Sequence, residues 1–143
     1  MKYFLITLLA VILTGCSEDE SAAPDITVSE ALIRTPPQGR DITAGYAILT
    51  NAGGADRLIG AFTEAADRVE IHQNSMADGV MRMRRVEAVD IPARGEARLE
   101  QGGYHLMVFG LEAVEAGDAI SVTLDFEMAE DETIEFIVGQ PTP

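Results

Sequence analysis

The chain has 143 residues, 47% of them hydrophobic, and sets 24 acidic side chains against 10 basic ones for a formal net charge of −14. That length suits one domain with one core, and the apolar fraction argues against wholesale disorder. So acidic a surface repels phosphate backbones, which argues against nucleic acid and leaves cations and basic protein surfaces as natural partners.

In chain order, the first feature is a targeting segment. Lys2 supplies a positive start, and Phe4 to Leu13 is an apolar run too short to cross a bilayer but the size of a signal core. Leu13-Thr14-Gly15-Cys16 resembles a bacterial lipobox, so residues 1–15 read as a lipoprotein signal peptide and Cys16, the one cysteine, as the lipidation site. A lipidated Cys16 leaves no thiol for a disulfide, and the fold must then stand on its core. Residues 16–25 are polar, acidic and without periodicity, as expected of a flexible tether that holds a domain off a membrane. These features imply a periplasmic protein anchored by lipid to the inner or outer membrane. Ser17, directly after the cysteine, fits outer-membrane sorting in a Gram-negative cell.

From Ile26 the chain reads as short β-rich runs separated by turn residues. Strands are predicted over residues 26–33, 43–50, 56–63, 68–73, 79–86, 98–101, 104–111, 120–127 and 133–138. Pro36 and Pro37 mark a loop after the first, because proline cannot serve a central strand. Asp78-Gly79 is a two-residue hairpin signal, and Glu112 to Ala116 could hold a single turn of helix. Regular spacing with no sustained 3.6-residue period predicts an all-β antiparallel sandwich or barrel over residues 26–139, followed by a tail at 140–143.

One stretch concentrates unusual side chains. Both histidines, His72 and His105, and four of the six methionines, Met76, Met81, Met83 and Met107, fall between residues 72 and 107. In a strand, His105 and Met107 point to one face about 6.5–7 Å apart, and Met81 and Met83 share that relation. Imidazole with thioether is a donor set that favours monovalent copper, whereas Zn(II) prefers thiolate, imidazole or carboxylate. Each residue alone has a duller reading, as a surface histidine or as core-filling methionine. Their concentration is what argues for a metal.

The spacing His72-x10-Met83-x21-His105-x-Met107 resembles the signature of periplasmic copper chaperones of the PCuAC type. Tyr46 to Asn51, Val69 to His72, Asp78 to Met83, Gly102 to Met107, Gly117-Asp118 and Leu124 to Phe126 follow that family's pattern in order, so the likeness runs from about Ile26 to Val138. The resemblance implies a cupredoxin-like Greek-key barrel with an exposed Cu(I) site made by His72, Met83, His105 and Met107. It also implies delivery of copper to cytochrome c oxidase, either to its copper-bearing subunit or to assembly factors. Gln73 stands where some relatives carry a second methionine, and no Met/His-rich tail follows Gln140, so one copper per monomeric chain is expected. Met76 and Met81 lie outside the signature and read as packing, with transient contacts along a transfer path as the alternative.

Other classes fit less well. No Gly-x-Ser-x-Gly or His-Glu-x-x-His run occurs, and both histidines sit in the metal motif, so an enzyme is not expected. A haem protein would want Cys-x-x-Cys-His, and a blue-copper site would want a cysteine thiolate. A lipoprotein that sequesters copper without delivering it, or an interaction module without metal, stays open. Both imidazoles must be neutral to bind, and free histidine titrates at about 6.5, so Cu(I) affinity should weaken toward pH 5. Chelator competition at several pH values checks this, and a flat response would strike the histidines from the ligand set.

Overall fold

The computed structural model describes residues 22–141 and contains ten strands and no helix among them. They are β1 (Ile26–Arg34), β2 (Ile42–Asn51), β3 (Asp56–Phe62), β4 (Arg68–Ala77), β5 (Val80–Arg85), β6 (Val89–Ile91), β7 (Glu96–Leu99), β8 (Tyr104–Phe109), β9 (Ala119–Phe126) and β10 (Glu132–Gly139). The signal segment, Cys16 and the start of the tether lie outside the described residues.

The strands form one sheet in the order β5-β4-β8-β7-β2-β1-β10-β9-β3-β6, with β8 also paired to β2. Both ends of that order contribute to a single core: Ile71, Leu106 and Val108 from one half, Leu58, Val89, Leu124 and Phe136 from the other. The sheet therefore closes over itself as a barrel-like sandwich, the all-β architecture expected from the strand pattern. Two pairings depart from an antiparallel plan, since β1 runs parallel to β10 and β7 parallel to β8.

Alternation explains which side chains go inward. Along β2, Thr43, Gly45, Ala47 and Leu49 are buried while their neighbours are half-buried or exposed. Along β9, Ile120, Val122, Leu124 and Phe126 do the same. Such a period of two is what a strand with one buried face requires. In β1 a register shift between Ser29 and Leu32 accompanies Glu30 at φ 51°, a bulge that re-aims the strand partway along.

Several boundaries moved relative to the sequence reading. β4 runs four residues beyond Gln73, to Ala77, because β5 pairs with it as far as Ala77↔Val80. Asp78 and Gly79 both have positive φ (52° and 74°), the geometry that a tight two-residue hairpin needs. β6 went unpredicted, being three residues long and followed by Pro92. β7 starts two residues earlier than expected, since Glu100 to Gly103 turn back, with the Gly103 amide on the Glu100 carbonyl at 3.1 Å. Glu112 to Ala116, which could have held a single turn of helix, holds none.

Asn51 holds the N-terminal entry. Buried to 2% exposure, it accepts from the Asp25 and Gly53 amides and donates to the Gly54 and Pro92 carbonyls. All four of its hydrogen-bonding directions are thus used. The Ala52 and Gly54 amides add bonds to the Asp25 and Ala23 carbonyls. A Cβ on Gly54 would collide with the Ala22 carbonyl oxygen, so the entering chain passes closely over this turn. Ala23 to Asp25, tether by composition, are therefore fastened to the domain.

Phe136 is fully enclosed at 0% exposure. Replacing it by alanine should cost about 3–5 kcal/mol of unfolding free energy, read from urea melts. A loss under about 1 kcal/mol would place the core elsewhere.

Candidate metal centre

β8 lies between β4 and β2, and its two faces do different work. Leu106 and Val108 point into the core, which sends His105, Met107 and Phe109 to the outer face. The β4–β8 register sets His72 directly opposite His105 and Glu70 opposite Met107. On the far side of β4, β5 sets Met83 opposite Asn74, and on the other flank β2 sets Ala44 opposite Met107. Because directly paired residues share a face, three strands, β4, β5 and β8, deliver His72, Met83, His105 and Met107 to one outer surface.

His105, Met83 and Met107 line one shallow cavity of about 270 Å³, together with Tyr46, Arg34 and Met81. His72 lies beside it, its ring centroid 6.1 Å from that of His105. Met83 is 53% exposed, whereas His105 is buried. The cluster is thus a well with a closed floor and an open thioether rim, set on the outer face of the sheet where β8 begins. Among the described residues, no three His, Cys, Asp or Glu side chains gather as a metal site, so any metal held here must use sulfur as well.

Hydrogen bonds determine which ring nitrogens are free. His105 Nδ1–H donates to the Gly103 carbonyl at 3.2 Å, an oxygen that can only accept. In the neutral ring, Nε2 then carries a lone pair, and it faces the Met83 Sδ at 3.1 Å. Burial holds His105 below the ordinary histidine pKa, against the pull of the Gly103 carbonyl, and the neighbouring His72 adds to the lowering. Its ring is therefore neutral at pH 7, the state in which it can ligate.

His72 has the opposite tautomer. Its Nε2–H donates to the Glu70 carboxylate at 2.9 Å, and its Nδ1 is buried without a partner. That His72 hydrogen bond, followed by the one from Arg68, holds the Glu70 carboxyl below its usual range. Arg68 Nε lies 3.1 Å and Arg85 3.8 Å from Glu70, and the Arg68 guanidinium also sits 4.0 Å over the Phe109 ring. Glu70 orients a histidine in the way carboxylates do behind metal-binding imidazoles. Sequence reading passed over it, although the period that joined His105 to Met107 also joins Glu70 to His72. Gly103 could not have been found that way, because it acts through its carbonyl.

Met76 and Met81, read from the sequence as packing, are 68% and 61% exposed and pack against little. Here the structure corrects the reading.

An all-strand domain with imidazoles and thioethers gathered on its outer face has the build of a PCuAC domain, and solved structures agree. The copper-bound PCuAC domain from PmoF2 superposes with a TM-score of 0.69 at 26% identity, covering 84% of this chain and 97% of that one. The Cu(I) form of DR1885 from Deinococcus radiodurans gives 0.66 at 27% identity, covering 84% and 81%. The apo PCuAC domain from PmoF1 shares the fold at 0.70 and 22% identity, covering 83% and 97%. In sequence, a family model for LpqE-like lipoproteins matches residues 26–138, and a protein of Leifsonia xyli subsp. xyli named as lipoprotein Lxx21020 is 33% identical over 133 residues, 84% of this chain and 79% of its own. The chain belongs to the LpqE-like family of lipoproteins.

The tautomers are directly measurable. Long-range proton–nitrogen spectra of the metal-free domain at pH 7 should show the proton on Nε2 of His72 and on Nδ1 of His105. Glu70→Ala should release His72 into a tautomer mixture and leave His105 unchanged. A His72 ring that keeps its tautomer without Glu70 would mean the carboxylate does not orient it.

Proposed function

We propose that this domain is a copper chaperone that carries one Cu(I) between His72, His105, Met83 and Met107. The observation that carries the reading is the His105 Nε2 lone pair facing the Met83 sulfur at 3.1 Å, an arrangement that a soft cation would relieve. The unpartnered Nδ1 of His72 and the position of Met107 in the same well supply the other two donors. Copper here is cargo, so no turnover chemistry is needed and the domain is not an enzyme. Four neutral donors hold a monovalent ion firmly, and the exposed Met83 leaves a side from which an acceptor can displace them.

The destination we infer is the copper-site assembly of cytochrome c oxidase, through its copper-bearing subunit or an assembly factor. Delivery, and not sequestration alone, fits an open rim. The signal segment and Cys16 support a periplasmic protein anchored by lipid to the inner or outer membrane, with residues 26–139 as the copper domain. That the copper-bound PmoF2 domain and Cu(I)-DR1885 share this fold supports the choice of ion.

His105→Ala and Met83→Leu should each weaken Cu(I) binding by more than about 100-fold in chelator competition, beyond what loss of a supporting residue costs, while Glu70→Ala should cost about 10–100-fold. Holoprotein mixed with an apo oxidase copper domain should lose its metal to that domain. Wild-type affinity in both ligand variants would remove copper from the account, and metal retention beside the acceptor would reduce the role to storage.

A further inference from the structure

Met76 and Met81 stand directly opposite each other in the β4–β5 ladder, on the face that also carries Asn74, Met83 and His105. With Met83 they form a run of exposed apolar side chains on one face of a hairpin at the edge of the sheet. Single exposed apolar residues need no explanation, but a contiguous group beside a functional cavity does. Packing cannot be the reason, given their exposure. Met81 moreover lines the same well as Met83, His105 and Met107.

We propose that Met76 and Met81 form a second, weaker Cu(I) site at the hairpin, through which the ion passes between the inner site and an acceptor or the solvent. The proposal rests on the copper reading above. Residues opposite each other in an antiparallel ladder have α-carbons about 4.5–5.5 Å apart, and methionine's three rotatable bonds let both sulfurs turn to one ion. Two thioethers alone bind less tightly than two thioethers with two imidazoles, so the free-energy gradient runs inward on loading. Met81 and Met83 lie two apart on one strand face, about 7 Å between α-carbons, so a sulfur of the outer pair reaches an ion still held by the inner one. Each step forms one copper–sulfur bond as one bond to an inner donor breaks. The ion stays monovalent, and neither proton nor electron moves. Arg82 and Arg84 alternate to the opposite face, while Arg85, on the Met83 face, is drawn to Glu70 and Arg34 lines the well.

The test replaces Met76 and Met81 together by leucine, which keeps the apolar surface and removes the sulfur, with Met128→Leu as a control for an exposed methionine elsewhere. The double variant should release metal to excess chelator about tenfold more slowly, equivalent to ~1.4 kcal/mol in the exchange barrier, while its Cu(I) affinity falls far less than the roughly 100-fold expected of the ligand variants. Wild-type protein with labelled methionine methyls should show Met83 and Met107 shifting over the first equivalent of Cu(I), and Met76 and Met81 over the second. Release at the wild-type rate, or no shift of Met76 and Met81 with excess Cu(I), overturns the relay and shows an apolar patch only. If Met83 and Met107 also fail to shift, the inner site itself is wrong and the relay falls with it.

Discussion

The arrangement depends on the alternation of β8. Leu106 and Val108 are buried to 1% and 2% exposure, and their burial drives the strand into the core. The same pleat then leaves His105 and Met107 no choice but the outer face. Slippage of one residue against β4 would turn the His105 imidazole into the hydrophobic core and Leu106 to the outer face, so the core enforces the site's register. Few of the distances that matter at the candidate metal centre are set by the histidines and methionines themselves. They are set by Ile71, Leu106 and Val108, which touch no metal, and by the neighbouring ladders that lock β4 and β2 to β8.

Much of this was legible in the sequence because it follows from local alternation. Nine of the ten strands were read from runs such as Ile120 to Phe126, where inward and outward residues alternate, and the Asp78-Gly79 turn announces its own hairpin. What escaped depends on partners distant in the chain. Val89 to Ile91 is a strand only because Asp56 to Leu58 lies beside it. The length of β4 is decided by β5, and the capture of Ala23 to Asp25 by Asn51, which lies 26 residues beyond Asp25. The parallel pairings of β1 and β7 likewise have no local signature.

For the site, donor types and spacing were readable, while the supporting groups were not. A carboxylate two residues before a histidine is too common to single out until His72 is seen bonded to it and Arg68 is seen stacked on Phe109. The error over Met76 and Met81 has a general cause. Composition says that methionine is usually core filler, and only burial can say when it is not. On an edge hairpin paired on one side alone, no second layer exists for these side chains to fill.

The electrostatics of the well follow from keeping carboxylates out of its lining. The protein is strongly acidic, and an acidic surface attracts divalent ions as readily as monovalent ones. Yet the one carboxylate next to the imidazoles, Glu70, is occupied by His72, Arg68 and Arg85. Its charge is spent on fixing a tautomer. Beside Arg34, Tyr46, Asn74 and Gln101, the cavity is lined by the His105 imidazole and by thioether sulfur, groups with little attraction for a hydrated hard ion and a strong one for a soft ion. Selectivity so built resides in polarisability and not in charge, and for that reason it can coexist with an open rim. A site that relied on net negative charge would have to be enclosed to keep abundant cations away, and an enclosed site could not give up its ion by ligand exchange. The neutral donors, the neutralised glutamate and the exposed methionines are consequences of one requirement: the ion must be recognised while it remains within reach.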